Sequence, residues 1–245
     1  MAFNDGDFLE IEYTARNDSD NSVLATTDEK IAKENDIYNK DIKYGPALVI
    51  LGSGAVVKGL ERELKGMELN KEKSFVLEPA DAFGERNADL VKVMPLSQFK
   101  AQNINPYPGM RLNMDNVAVT VVSVGSGRVV VDANHPDAGK KIKYEVKVVK
   151  KVDSDEERVK ALSKTYDVEP SKIDIRKDEI EIFYSDEVKK NADYFVNRAS
   201  LVASILTYMK SLQKVYIKEE YARHSEEEHS HSHEEDSKEE EGSKQ

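Results

Sequence analysis

The sequence predicts an α+β chain: an antiparallel β domain interrupted by a smaller β module and followed by a mixed α/β unit. Three observations predict it. Two strongly alternating strands stand far apart, at residues 7–15 (DFLEIEYTA) and 141–152, so the second returns to a sheet that the first opens. Between them, residues 86–131 change texture, with Pro95, Pro106, Pro108 and several short strand patterns. After them comes an α-β-β-α-β order over residues 153–218, a unit near the size that folds alone only marginally.

Each element has its own signal. Phe8, Leu9, Ile11, Tyr13 and Ala15 alternate among acids and mark the first strand. A polar turn at Asn17–Ser22 leads into a second strand at Val23–Leu24. Thr27-Asp28-Glu29 opens a short amphipathic helix running to Asn35, with Ile31 and Ala32 as its apolar positions. Leu48–Leu51 is a compact apolar strand ended by Gly52-Ser53-Gly54. Val56, Val57, Leu60 and Leu64 then share one face of a helix spanning Val56–Leu64. Gly66 is expected to close it as a left-handed cap. Lys73–Leu77 reads as a strand.

The middle module carries a short helix around Pro95–Gln102 and strands near Met110–Met114, Val117–Val124 and Arg128–Val131. Gly125-Ser126-Gly127 makes the hairpin turn between the last two. Ile142, Tyr144, Val146 and Val148 alternate through the long strand Lys141–Val152. Past an acidic break at Asp153–Glu157, with Ser154 or Asp155 as N-cap, a helix covers residues 156–166. Lys172–Arg176 and Glu179–Tyr184 form a hairpin across Lys177-Asp178. A long helix, Asn191–Leu212, is expected to bury Phe195, Leu201, Val202, Ile205, Leu206 and Met209, before a last strand at Val215–Lys218. The domain organisation expected is therefore residues 1–85 with 132–152, an insertion at 86–131, a C-terminal unit at 153–220, and a tail at 221–245. The tail carries a net charge of −6 and almost no apolar residue, so it is expected to be disordered.

Composition excludes several classes of function. The 245 residues are 39% hydrophobic, enough for a core, but 34% charged with a net charge of −11. An acidic chain lacks the cationic excess that releases counterions from nucleic-acid phosphate, so no nucleic-acid partner is expected. The absence of Cys removes thiolate nucleophiles and Cys-ligated metal or iron–sulfur sites. The longest apolar runs, residues 47–51 and 117–124, fall well short of a membrane span, and Met1–Asp7 lacks a targeting pattern; a cytoplasmic protein with no membrane partner is expected. Gly52-Ser53-Gly54 lacks the third glycine of a dinucleotide fingerprint, which would stand at Val57, and no phosphate-binding GxxxxGK[ST] loop occurs. Asn17–Asp28 lacks the central Gly and closing Glu of a calcium loop. Only one of five His, His135, lies outside the tail, so Ser/His/Asp catalysis is not expected. In the turn Asn134-His135-Pro136, that His reads as a backbone hydrogen-bonding residue.

The informative stretch is YGPALVILGSGAVVKGLERELKGMELNKEKSFVLEPADAFGER, Tyr44 to Arg86. It resembles the heart of FKBP-type peptidyl-prolyl isomerases. The G-x-x-x-V-[IV]-x-G-[LW]-E run appears as Gly52 through Glu61, and the P-x-x-A-[YF]-G loop as Pro79, Ala82, Phe83 and Gly84. The opening Y-T is Tyr13-Thr14, and the closing aromatic-acid-Val is Tyr144-Glu145-Val146. The break after Gly84, with Val131-Asp132-Ala133-Asn134-His135-Pro136-Asp137-Ala138-Gly139 on the return, resembles the SlyD-like branch, in which a chaperone module is inserted in the flap. The extra α/β unit and acidic tail resemble long archaeal members of that branch.

The resemblance implies an FKBP-like antiparallel half-barrel around a short helix, a small mostly-β inserted domain and a C-terminal α/β domain. It implies a proline pocket of Tyr13, Leu24, Val56, Val57, Leu60, Phe83 and Tyr144, with Val57 giving a backbone N–H at the lip and Leu60 the floor. Three positions depart from the family pattern: Leu24 stands where many relatives have Phe, Ala25 where they have an Asp bonded to Tyr13, and Phe83 where many have Tyr. In the insert, Leu90, Val93, Met94, Leu96, Phe99, Met110 and Met114 would present an apolar surface to unfolded chains, Met being suited to it by its adaptable shape.

The activity implied is peptidyl-prolyl cis–trans isomerisation with chaperone activity, acting on unfolded or proline-containing polypeptides. Rotation about X–Pro needs no nucleophile or metal, so no cofactor is required. The rival reading is a holdase with a vestigial pocket, favoured by Ala25 and Phe83. A third, metal handling, rests only on His224, His229, His231 and His233, whose HxH spacing beside carboxylates suits Zn or Ni. The plainer reading of that tail is a solubilising segment with adventitious Zn or Ni affinity. The small C-terminal unit is expected to dock on a partner or pair with a copy of itself as a homodimer.

Overall fold

The computed structural model describes residues 3–114 and 116–221 and divides into two compact units at Arg158/Val159. In the first unit, β1 (Phe8–Asn17), β2 (Val23–Thr26), α1 (Glu29–Glu34), β3 (Ala47–Ile50), α2 (Lys58–Lys65) and β4 (Glu72–Leu77) come in order. A second group follows: β5 (Val91–Pro95), α3 (Leu96–Ala101), β6 (Arg111–Met114), β7 (Val117–Gly125) and β8 (Arg128–Asp132). The chain then returns through β9 (Ile142–Val152), which runs antiparallel between β1 and β4. The larger sheet has the order β2-β1-β9-β4, with β3 also paired to β1; the smaller has the order β5-β8-β7-β6. The fold is mixed α+β with antiparallel sheets, as the sequence predicts.

Alternation decides which side of the larger sheet is dry. Leu9, Ile11 and Ala15 on β1, and Ile142, Tyr144, Val146 and Val148 on β9, turn to one face, where Leu60 and Leu64 of α2 cover them. Burying these side chains is the main stabilising contribution of the unit, at roughly 1.5–3 kcal/mol for each large apolar side chain. Asp28 caps α1 by accepting from the main-chain N–H of Lys30 and Ile31.

Some boundaries differ from the sequence reading. Helix α2 begins at Lys58, not Val56; Val57 is its N-cap with extended backbone (φ −61°, ψ 146°). Val56 and Val57 still reach the core, but from the approach to the helix, which is why they fit the helical face pattern. Gly66 is not left-handed: its φ is −90°, and its N–H bonds back to Glu63 and Leu64 in a tight last turn. Strand β5 carries no clean alternation and ends at Pro95 on a sheet edge, a position that suits Pro but weakens the strand signal.

The second unit holds most of α4 (Asp155–Thr165), then β10 (Lys172–Arg176), β11 (Glu179–Tyr184), α5 (Asp186–Lys189), α6 (Tyr194–Tyr208) and β12 (Lys214–Glu219). Ser154 caps α4, its hydroxyl accepting from the Glu157 N–H. β11 pairs antiparallel with β10 and parallel with β12. α6 is shorter than the expected Asn191–Leu212. The Asn191 side chain accepts from the Asp193 N–H in a turn that precedes the helix, and Met209 leaves helical backbone at ψ 74°. Tyr194, Leu201, Ser204 and Ile205 face inward, whereas Phe195 and Leu206, expected to be buried, are 58% and 47% exposed. Tyr194 meets Tyr184 edge-on at 5.5 Å.

Candidate active site

The dry face of the larger sheet is where the sequence-predicted pocket residues meet. β1 brings Tyr13, β2 Leu24, the approach to α2 Val56 and Val57, α2 itself Leu60, the loop after β4 Phe83, and β9 Tyr144. Leu60 and Tyr144 are buried in one apolar cluster, and Tyr13, Leu24, Val56, Val57 and Phe83 pack partly buried against it. Strand register does much of this: Ala15 pairs with both Ala25 and Tyr144, and Tyr144 with Phe75. The Tyr13 and Tyr144 rings lie 6.2 Å apart, and Phe75 stacks on Tyr144 at 5.9 Å.

The glycines around α2 place Leu60. A Cβ on Gly59 would lie 2.6 Å from the Leu77 side chain, so only glycine lets α2 seat this close to β4. Gly52 has φ +82°, a conformation glycine adopts without penalty, and its N–H donates to the Glu61 carboxylate, tying the two ends of the Gly52–Glu61 run together. The Phe83 loop is held as firmly. The Pro79 carbonyl accepts from Ala82 and Gly84 at 3.0 and 2.7 Å. Arg62 of α2 donates to both Asp81 carboxylate oxygens at 3.0 and 2.9 Å.

His135 adds a contact that its sequence context does not reveal. Its Nδ1 accepts from the Asp137 N–H at 3.1 Å, the backbone role expected of it. Its ring also lies flat on Phe83, with centroids 4.3 Å apart and planes 1° from parallel. The two residues are 52 positions apart, so only the return of the chain brings them together. Phe75, which stacks on Tyr144, is a further residue of the site that the sequence reading does not name; on β4 it stands two residues before the buried Leu77.

Electrostatically the site is apolar with hydroxyls. Burial pushes the Tyr13 phenol up, and burial, with Tyr13 and Asp137 adding to it, pushes Tyr144 up to about 12. Both therefore remain protonated donors at neutral pH. Among the described residues neither hydroxyl has a hydrogen-bond partner. The Val57 N–H, at the N-cap, has no intrahelical acceptor.

The two strands of chain linking the larger sheet to the smaller are cross-bonded. Arg86 pairs with Asp132 at 2.5 Å, the Asn134 side chain donates to Asp132 at 2.7 Å, and Asn87 and Asn134 exchange bonds at 2.8 and 2.9 Å. Burial raises the Asp132 carboxyl, but the Asn134 hydrogen bonds and the Arg86 charge outweigh it and hold it below the usual carboxylate range.

In the insert, Phe99 is not a surface residue. It is buried with Val119, Val121, Val129 and Val131 as the small core, because α3 lays it against the sheet. Met94, Leu96, Met110 and Met114 are partly buried around it, and Leu90 and Val93 are exposed. Met94, Phe99, Ile104, Leu112 and Met114 line a cavity of about 310 Å³. A larger groove, about 850 Å³, is lined by Tyr13, Ile31, Tyr44 and Val146 as well as by Glu12, Glu72, Glu145 and Lys147, and it shares Tyr13 with the cluster above. His224, His229, His231 and His233 lie outside the described residues. No helix among the described residues is long and apolar enough to cross a membrane.

Comparison with known proteins gives the family. Residues 2–100 match the family model described as FKBP-type peptidyl-prolyl cis-trans isomerase, and residues 92–137 match one described as FKBP26, IF domain. A short-type peptidyl-prolyl cis-trans isomerase of Methanocaldococcus jannaschii is 32% identical over 143 residues, 58% of this chain and 90% of that protein. The FKBP-type isomerase SlyD of Treponema pallidum is 31% identical over 57% of this chain and 73% of its own length. SlyD of Vibrio cholerae is 30% identical over 53% of this chain and 66% of its own length. The chain belongs to the FKBP-type peptidyl-prolyl cis-trans isomerases.

Proposed function

We propose that the chain accelerates rotation about X–Pro bonds in unfolded or partly folded polypeptides, with the proline ring seated among Tyr13, Leu24, Val56, Val57, Leu60, Phe83 and Tyr144. The observation that carries this is the convergence of these seven residues, from separate stretches of chain, on one apolar cluster rimmed by aromatic rings. The X–Pro bond interconverts in tens to hundreds of seconds because rotation breaks amide resonance. The planar amide is the more polar state, so a dry pocket disfavours it relative to the twisted one, and contacts made only to the twisted form add to the effect. No bond is broken, and the reaction calls for no nucleophile, metal or cofactor.

The insert supplies client affinity in this reading. Exposed Leu90 and Val93, the partly exposed Met94, Leu96, Met110 and Met114, and the cavity beside Phe99 support it. Its clients are apolar segments, which a tethering site holds near the pocket. The C-terminal unit pairs with a second copy through α6, a role supported by the exposed Phe195, Val196 and Leu206 on that helix. The tail binds Zn or Ni only adventitiously. The test is a proline-limited refolding rate with and without catalytic amounts of the protein. Acceleration at substoichiometric concentration supports the enzyme; suppression of aggregation without acceleration supports a holdase instead.

A further inference from the structure

Phe83 stands at the pocket rim without a hydroxyl, yet the pocket is not without donors. Tyr144 is only 5% exposed, and its hydroxyl has no partner among the described residues. Among the described residues the fully enclosed, unpaired side-chain groups are Ser163 and Tyr184. The Tyr144 hydroxyl is unpaired but not enclosed, so what remains accessible of this residue includes its Oη. The ring is backed by Phe75 and flanked by Tyr13. The charge of Asp137 reaches the phenol, and Asp137 lies two residues from His135, whose ring covers Phe83. The ring belongs to the apolar cluster against which Phe83, Val56 and Val57 pack.

We infer that the Tyr144 hydroxyl is a catalytic hydrogen-bond donor to the prolyl nitrogen of the twisting bond, supplying the polar contact that Phe83 cannot. The inference rests on the proline-pocket reading above. In the planar amide the nitrogen lone pair is delocalised into the carbonyl and accepts no hydrogen bond. As the bond twists, resonance is lost and the lone pair localises on nitrogen. A donor facing it is idle in the ground state and bonded at the top of the barrier, the kind of contact that raises kcat without tightening substrate binding. A donor aimed at the carbonyl oxygen would do the opposite, because the planar form carries the larger negative charge there. The proton stays on Tyr144 throughout; no bond is formed or cleaved.

The experiment is steady-state isomerisation of a proline tetrapeptide by the full chain, comparing wild type with Tyr144→Phe, which removes one oxygen. A neutral hydrogen bond of roughly 0.5–1.5 kcal/mol predicts a fall in kcat of about two- to thirteenfold with KM within twofold. An active wild type whose kcat is unmoved by Tyr144→Phe, or whose loss lies wholly in KM, overturns the donor and leaves the isomerase reading standing. A wild type inactive on the tetrapeptide overturns the pocket reading itself, and the donor with it. Should Tyr144→Phe lose its fold by circular dichroism, a fluorinated tyrosine placed at position 144 carries the test. As a stronger donor it raises kcat if the inference holds, and an unchanged kcat overturns it.

Discussion

Gly59 shows how a single missing methyl group organises the pocket. With a Cβ there, Leu77 and the Asp81 carbonyl would lie within 3 Å, and α2 would have to lift from β4, taking Leu60 with it. Gly59→Ala should therefore destabilise the chain by roughly 1–3 kcal/mol, the cost of overpacking. Urea unfolding measures it, and an unchanged midpoint would show that the helix has room to shift. Ala25 and Phe83 set a second expectation. The resemblance implies that macrolide inhibitors of the family bond to a carboxylate and a hydroxyl at these two positions. Lacking both, this chain should bind such an inhibitor roughly 30- to 2000-fold more weakly than a member that has them, from about 2–4.5 kcal/mol of lost hydrogen bonding. Calorimetric titration of the wild type and of the double variant Ala25→Asp with Phe83→Tyr checks it; nanomolar binding by the wild type contradicts the roles given to these positions.

At this scale the sequence was legible where the chemistry is local. The resemblance around Gly52–Glu61 points to Val56, Val57 and Leu60 because its motif is written within ten consecutive residues. It did not show His135 on Phe83, since that contact depends on how the chain returns after the insert.

Between elements, the joint that carries the insert is the telling feature. Arg86, Asn87, Asp132 and Asn134 bind the outgoing and returning chains to each other a few residues from both Phe83 and His135. The Asp132 carboxyl is held below its ordinary value of about 3.9. A depressed carboxyl contributes stability that is complete above the unfolded-state value and is lost as pH falls through the folded one. Asp132→Asn should thus be less stable than wild type at pH 7, with the gap closing below about pH 4. Equal gaps in urea unfolding at pH 7 and pH 3 would remove Asp132 as the titrating group. Replacing residues 91–130 by a short loop keeps this joint but removes most of the client surface proposed above, Leu90 excepted. It should lower catalysis of a refolding protein far more than catalysis of a free tetrapeptide; equal losses would make the insert a structural part of the pocket.

Helices and strands with a strict period were readable from sequence, and β1, α1 and β9 stand close to where their alternation or capping placed them. The failures have physical causes. Val56 and Val57 mimicked a helical face while lying just before the helix. β5 is an edge strand with mixed exposure, so it carried no period. On α6 the apolar residues go all the way round, so periodicity could not say which side is buried, and Phe195 and Leu206 were assigned to the wrong one.

For the molecule as a whole, the function proposed above divides three tasks among parts of one chain: the pocket would rotate the bond, the insert would hold the client, and the C-terminal unit would join two copies. Leu206→Asp, on the exposed face of α6, should shift sedimentation from dimer toward monomer; an unaltered dimer would place the contact elsewhere. The central claim is that the cluster around Phe83 and Tyr144 is where proline is turned. It is tested most directly by the rate of tetrapeptide isomerisation with Phe83→Ala set beside wild type, both checked for native circular dichroism. The pocket account predicts a fall of at least tenfold, about 1.4 kcal/mol of barrier. A folded Phe83→Ala chain turning over at the wild-type rate would contradict it.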